Sequence, residues 1–232
     1  MLCMTVVSFQ ATSQKNQSID IMGGVEYGFR DVGILIPGFP SLNMKTRNER
    51  ERGLFHIRYG INYNKQLTPQ FYLKSGLRVG TAGYKYVMSE DLRWPSGISN
   101  PGSSPGIDIK KLEIYYKFRF IELPMMARYE WNQKKWIPFI EFGIAPTIYL
   151  DQVLVKNHEP SSDERKYDGY LGEINTLHFT GIISVGMQYK LSDSYQIFGQ
   201  PTYRYHFTKL TDTRTSDFLY NAGLEFGIRQ KW

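Results

Sequence analysis

The sequence predicts an all-β fold, an eight-stranded antiparallel up-and-down transmembrane β-barrel. Successive segments alternate apolar and polar residues with a period of two, which is the pattern of a strand with one apolar and one polar face. The connections between these segments are alternately long and short. The 232 residues include 17 Tyr and 14 Phe, a composition that favours strands over helices.

Composition excludes several other classes of protein. A membrane-spanning helix needs about 20 consecutive apolar residues, and the chain has no such run. The mean hydropathy of −0.40 is compatible with membrane strands, because their lipid-facing and inward-facing residues alternate. The net charge is +6, but the basic residues are scattered along the chain, which disfavours a nucleic-acid-binding protein. Cys3 is the single cysteine, so no disulfide framework is expected.

The N-terminus is typical of the end of a secretion signal. Residues 2–9 are mostly apolar, and small residues suited to cleavage follow at positions 10–13, although the basic region that normally precedes them is missing. We therefore expect residues 1–17 to be a signal peptide or its remnant. Residues 18–232 would form the barrel domain.

The strands follow one another from Ser18 onward. In the first strand, the odd-numbered positions 19–29 form the mostly apolar face, and in the second Phe55 to Tyr63 do the same. The third covers Leu73 to Val79, and the predicted later strands are 112–131, 136–150, 177–191, 195–207 and 218–230. The later strands reach or exceed the length of about 9–11 residues that a tilted strand needs to cross the hydrocarbon.

The connections indicate the orientation of the barrel. Long polar connections are predicted at 30–52, 89–110, 151–175 and 208–217, and short ones at 66–69, 132–135 and 192–194. Outer-membrane barrels have long extracellular loops and short periplasmic turns, so the even strand number puts both termini on the periplasmic side.

The fourth strand contains a change of phase. Lys117 and Arg119 lie at odd positions, whereas the polar residues that follow, Glu122 and Arg128, lie at even positions. A β-bulge near residues 120–121 would restore one continuous polar face, and Pro124 fits beside such an irregularity. We expect the hydrogen-bond ladder to be interrupted there.

Three segments resemble a known family, the small porin-like outer-membrane β-barrel proteins of Gram-negative bacteria. They are residues 120–129 (FIELPMMARY), 137–146 (IPFIEFGIAP) and 185–193 (VGMQYKLSD). The resemblance covers nearly the whole chain after the signal. It implies a location in the outer membrane, surrounded by membrane lipid and lipopolysaccharide, and it implies neither catalytic residues nor a cofactor.

The last strand also resembles the strand that the barrel-assembly machinery recognises. The residues that fit its spacing of polar, glycine and two hydrophobic positions are Asn221, Gly223, Phe226 and Ile228. This resemblance implies that the assembly machinery is a partner.

Many charged residues are predicted to face the interior. A barrel of eight strands is just wide enough for side chains to fill it, so these charges must pair. We expect a structural network of ion pairs; the alternative is a narrow basic path for small anions, because basic residues outnumber acidic ones. The predicted interior charges are Asp20, Glu26, Arg58, Lys74, Arg78, Lys117, Arg119, Glu122, Arg128, Glu141, Arg204, Glu225 and Arg229.

Three histidines, His56, His178 and His206, are predicted near the extracellular rim on the polar face. The short turn at 192–194 puts His178 roughly opposite His206, within cross-strand reach. Such a pair could bind a metal or sense pH, but two histidines form an incomplete site, and we expect neighbours or water to satisfy them. We predict no enzymatic activity and no cofactor.

Three functions remain open. The first is a structural or interaction role carried by the extracellular loops, whose ligand the sequence does not identify. The second is a narrow porin-like barrel that binds or passes small molecules. The third is a soluble lipocalin-like barrel with an apolar ligand inside, in which apolar residues would point inward.

Overall fold

A computed structural model describes residues 16–34, 50–89, 111–131, 135–158, 161–166, 174–210 and 215–232. These residues contain ten β-strands, and none of their helices is long and apolar enough to cross a membrane. The strands are β1 (Gln17–Ile34), β2 (Glu51–Gln66), β3 (Phe71–Ser89), β4 (Lys111–Glu122), β5 (Met125–Glu130), β6 (Trp136–His158), β7 (Ser161–Lys166), β8 (Leu177–Lys190), β9 (Tyr195–His206) and β10 (Thr215–Lys231).

The strands form one closed antiparallel sheet. The strand β1 pairs with β2 on one side and with β10 on the other, and the ring continues through β9, β8 and β6 to β4, β5 and β3. Strands β4 and β5 both pair with β3 and β6, so together they act as one strand of the ring, while β7 pairs with β6 outside it. The predicted eight-stranded barrel is therefore confirmed.

The interruption between β4 and β5 falls at Leu123 and Pro124. Proline has no N–H to donate to a ladder, so a break in regular pairing is expected at this position. The register with β3 nevertheless continues unchanged, with Glu122 opposite Arg78 and Met125 opposite Ser75. The break therefore does not change which side chains face the interior.

The predicted change of phase in this strand is wrong. Even-numbered side chains from Ile114 to Glu130 face the interior throughout. A register shift does occur nearby, but on the side of β6, where Arg119 lies opposite Asp151 and Phe120 opposite Tyr149. Above Glu122 the interior changes from charged to aromatic. Because the outward residues of β4 are charged at this level, the sequence looks as if the polar face had changed sides.

The sheet extends further at the extracellular end than the sequence predicts. The strand β6 has 23 residues and continues to His158, where β7 forms a hairpin with it, although a long connection was predicted to begin at residue 151. Only about 9–11 residues are needed to cross the hydrocarbon. The end of β6 therefore projects beyond the lipid, where alternation of apolar and polar residues is no longer required.

The two faces of the sheet differ in the way that a lipid environment requires. Large apolar side chains are exposed on the outer face of every strand of the ring, among them Ile57, Leu77, Phe142 and Phe226. The interior carries the buried charges. A lipocalin-like barrel would have the opposite arrangement, so that alternative is wrong. The predicted signal, residues 1–17, lies almost entirely outside the described residues and stays a prediction.

Candidate functional site: the barrel interior

Charged side chains fill the periplasmic and central parts of the interior. We call this group the charged layer, and each member is 4% exposed or less. It contains equal numbers of carboxylates and cations, so the predicted excess of basic groups is wrong for the described interior. The carboxylates are Asp20, Glu26, Glu122, Glu130, Glu141 and Glu225; the cations are Arg58, Lys74, Arg78, Arg128, Arg204 and Arg229.

The periplasmic half of the charged layer is a closed ring of alternating charges. Six side chains take part, and each ion pair joins it to the next. The N···O distances are 2.6 Å for Arg229–Asp20, 3.3 Å for Asp20–Lys74, 2.5 Å for Lys74–Glu141, 2.9 Å for Glu141–Arg128, 2.9 Å for Arg128–Glu130 and 2.9 Å for Glu130–Arg229. The side chains of this ring come from β10, β1, β3, β6 and β5.

The central half of the charged layer is built around Arg204. Its guanidinium contacts Glu26 at 2.6 Å, Glu122 at 3.3 Å and Glu225. Arg58 contacts the same Glu26 at 3.1 Å and Glu122 at 2.7 Å, so these four side chains close a second ring. Each carboxylate therefore has a cationic partner, and the ion pairs offset the cost of removing these charges from water.

The Gln200 amide joins the two halves, and the Gln188 amide lies within the periplasmic half. The Gln200 amide donates to Glu225 at 2.8 Å and to Glu141 at 3.5 Å, while Gln188 accepts from Arg128 and donates to Glu130. The Arg128 guanidinium also lies 3.5 Å from the centroid of the Phe139 ring, a cation–π contact. The layer is thus a continuous polar network.

An apolar cluster lies in the extracellular part of the interior, and we call it the aromatic layer. Tyr84 and Tyr116 stack with ring centroids 4.8 Å apart, and Phe118 and Phe120 continue the row. This layer is not evident from the sequence, because alternating aromatics in β4 suggest a lipid-facing surface. Its buried members are Ala82, Tyr84, Ile114, Tyr116, Phe118, Phe120, Leu154, Leu210 and Leu219.

Two of the predicted interior charges, Lys117 and Arg119, lie on the outer face. Their neighbours Tyr116 and Phe118 point inward, so the alternation of the strand turns both cations outward. Arg119 forms an ion pair there with Asp151 on β6, and its side chain is 44% exposed. The physical reason is the absence of a phase change in β4.

His178 and His206 lie close together but do not bond to each other. Their ring centroids are 6.3 Å apart, and both rings pack against Phe120. His178 Nδ1 is 3.2 Å from the Thr208 hydroxyl, and His206 Nδ1 is 3.3 Å from that of Thr180. Among the described residues there is no group of three or more His, Cys, Asp or Glu that could hold a metal ion.

The four residues of the predicted assembly signal divide between the two faces of β10. Asn221 is buried, and Gly223 lies on the same inward face opposite Glu26. Phe226 and Ile228 are 60% and 54% exposed on the lipid-facing side. The geometry therefore matches an alternating last strand, and recognition of that strand stays a prediction.

The chain matches the family model described as the outer membrane protein beta-barrel domain over residues 10–230. The fold and this match define the class, a β-barrel of the outer membrane. The chain belongs to the outer membrane protein beta-barrel domain family, and its place is the outer membrane.

Solved structures of other proteins match the chain at low sequence identity. Neisserial surface protein A is 10% identical, with 94% of this chain and 97% of that chain covered and a TM-score of 0.47. OprG from Pseudomonas aeruginosa is 8% identical, with 94% and 96% covered and a TM-score of 0.47. The protease OmpT from Escherichia coli is 11% identical, with 94% and 97% covered and a TM-score of 0.45. No curated protein matches the chain.

Proposed function

We propose that this outer-membrane barrel is a closed, non-enzymatic scaffold with a structural or interaction role at its extracellular end. The observation that carries the proposal is the filled interior, in which the charged layer lies below the aromatic layer. A transport path needs water or mobile groups along the axis, whereas here the charges are engaged with one another.

The balance of charge argues against the porin-like alternative. A path for small anions would leave cationic groups without partners along the lumen. In the charged layer, six cations face six carboxylates, and each of the twelve makes an ion pair. An anion entering this layer would have to displace a carboxylate that already holds its cation.

The extracellular end offers surface for an interaction. The strand β6 continues to His158 and pairs with β7, so ordered sheet stands above the level at which the lipid ends. A rigid scaffold of this kind would present the connections between strands to ligands outside the cell.

The absence of enzymatic activity is part of the same proposal. His178 and His206 are held by threonine hydroxyls and by the Phe120 ring, beneath apolar residues of the aromatic layer. This arrangement offers no exposed pair of nucleophile and base. We expect the refolded barrel to cleave neither peptide nor lipid ester substrates.

Conductance in planar bilayers tests the closed interior. We expect the refolded barrel to leave the bilayer at its baseline conductance at neutral pH. The matched positive control is a quadruple variant that combines Glu26→Ala, Arg58→Ala, Glu122→Ala and Arg204→Ala. It removes the two carboxylates and the two cations of the central ring, so the net charge of the barrel does not change. Steady channels from the unaltered barrel would overturn the proposal and favour a path for small molecules.

The assembly signal is proposed separately. Recognition of the last strand by the barrel-assembly machinery would depend on its outward hydrophobic residues, Phe226 and Ile228. Replacing both with Gln in the cell should lower the amount of heat-modifiable barrel, whereas Leu224→Gln on the same face, outside the recognised spacing, should have a smaller effect. Equal losses from the two variants would contradict the proposal.

A further inference from the structure

The outer face of the barrel is not uniform at its extracellular border. Aromatic side chains cover one side, on strands β2, β1, β10 and β9, where Tyr27 contacts Phe29 and Phe55, and Phe29 stacks on Tyr220. The adjoining part of the border, on β3, β4 and the extracellular end of β2, carries cations instead. We call Arg52, Lys85, Lys117 and Arg119 the basic rim patch.

The height of this patch follows from the lipid-facing residues beneath it. Along β4 and β5, the outward positions from 121 to 129 are Ile121, Leu123, Met125, Ala127 and Tyr129. The nine-residue segment from 121 to 129 matches the length of about 9–11 residues that spans the hydrocarbon. Arg119 is the next outward residue, and Lys117 follows it. Both therefore lie at the level of the lipid head groups in the outer leaflet.

The strand register brings the members of the patch close to one another. Arg52 is exposed and lies opposite Lys85 in the ladder between β2 and β3. Lys85 lies opposite Tyr115 on β4, one outward position from Lys117. Directly opposed like charges destabilise a sheet unless another group compensates for them. Among the described residues no ion pair compensates for Arg52 and Lys85, so this position suits an external anionic group.

The acidic residues on this surface are already engaged. Asp151 pairs with Arg119, and Glu113 accepts a hydrogen bond of 2.6 Å from the Tyr115 hydroxyl. Lys85 lies 5.9 Å from the centroid of the Tyr115 ring. Among the described residues, Arg52, Lys85 and Lys117 form no ion pair. Of the residues that the structure describes on this surface, four are cations and two are carboxylates, which gives this set a net positive charge.

We infer that the basic rim patch binds the phosphate groups of a phosphorylated glycolipid in the outer leaflet. The acyl chains of that lipid would lie on the apolar outer face beneath, along β3, β4 and β6, where Leu77 and Leu150 are exposed. Its phosphates would then meet Lys85, Lys117 and Arg52, while Arg119 stays paired with Asp151. The site deepens the proposed scaffold role and holds independently of whether the lumen conducts.

The test uses the refolded barrel in phosphatidylcholine nanodiscs that contain diphosphorylated lipid A, with lipids retained per barrel counted by native mass spectrometry. The altered barrel combines Arg52→Gln, Lys85→Gln and Lys117→Gln. The matched control combines Lys65→Gln, Lys135→Gln and Lys190→Gln, which removes the same charge near the periplasmic end. A mobility shift on boiling establishes that each barrel is folded.

Attraction of about 1 kcal/mol per basic residue near an anionic surface corresponds to a loss on the order of a hundredfold in affinity for three residues. We expect this loss in the rim variant and near-native affinity in the periplasmic control. Lipid A without phosphates should bind no better to the unaltered barrel than to the rim variant. Equal losses in the two variants, or displacement of the lipid by millimolar inorganic phosphate, would overturn the inference.

Discussion

The charged layer and the aromatic layer occupy the same barrel, yet different forces hold them together. The charged layer must pair every group, because an isolated buried charge costs several kcal/mol. The aromatic layer needs only close packing, as in a soluble core. The comparison indicates that strands of this barrel can carry either kind of interior, provided that each layer is complete. The two layers should therefore respond differently to substitution.

The largest effect is expected in the charged layer, from Arg204→Met. This change leaves Glu26, Glu122 and Glu225 with one fewer cation among them. Removal of one partner of a buried pair costs about 3–5 kcal/mol, and we expect the upper end of that range. Urea unfolding in lipid vesicles measures the loss; a change below about 1 kcal/mol would show that the network contributes little.

A somewhat smaller effect, about 3–4 kcal/mol, is expected in the aromatic layer from Phe118→Ala. The side chain is completely buried, so its removal leaves a cavity. Benzene should restore part of the stability of this variant, since apolar cavities bind it, and should not help Arg204→Met. Rescue of both variants, or of neither, would remove the distinction between the layers.

The geometry of charge within the charged layer is tested by Arg204→Lys. Lysine keeps the positive charge but replaces the planar fork, whose three nitrogens each contact a different carboxylate. We expect a loss of about 2 kcal/mol, corresponding to one or two hydrogen bonds to charged groups. Native stability in this variant would mean that charge alone, without geometry, holds the layer.

The smallest effect is expected outside both layers, from Arg119→Met. The Arg119–Asp151 pair is on the outer face, and the arginine side chain is 44% exposed. Exposed pairs contribute about 0–1 kcal/mol, and salt screens them. We expect a loss below about 1 kcal/mol that disappears in 1 M salt, measured by the same urea unfolding. A loss as large as that of Arg204→Met would contradict the assignment of Arg119 to the outer face.

The fold was predictable because lipid imposes a strict rule on the outer face. Residues such as Phe55, Ile57 and Tyr59 must alternate with inward residues as long as the strand is in the hydrocarbon, and short turns separate the strands. Above the lipid this rule ends, which is why the continuation of β6 beyond Leu150 and its hairpin with β7 were missed.

The interior was predictable only in part. Most of its charges, such as Arg58 and Glu141, alternate with clear lipid-facing residues, so their direction followed from the strand pattern. Lys117 and Arg119 alternate with Tyr116 and Phe118, and aromatics suit lipid and core equally well. The ring that joins Asp20 to Lys74 and Arg229 depends on long-range register, which one sequence does not reveal.

Accessibility of the lumen tests the central claim, that the two layers together fill the barrel. In a Cys3→Ala background, Ser184→Cys places a thiol in the middle of the interior, where the serine is 2% exposed. Asp193→Cys, in an exposed periplasmic turn, is the matched control. With a small membrane-impermeant thiol reagent, we predict complete labelling at position 193 and none at 184 until the barrel is unfolded. Labelling of the folded barrel at 184 as fast as at 193 would contradict a filled interior.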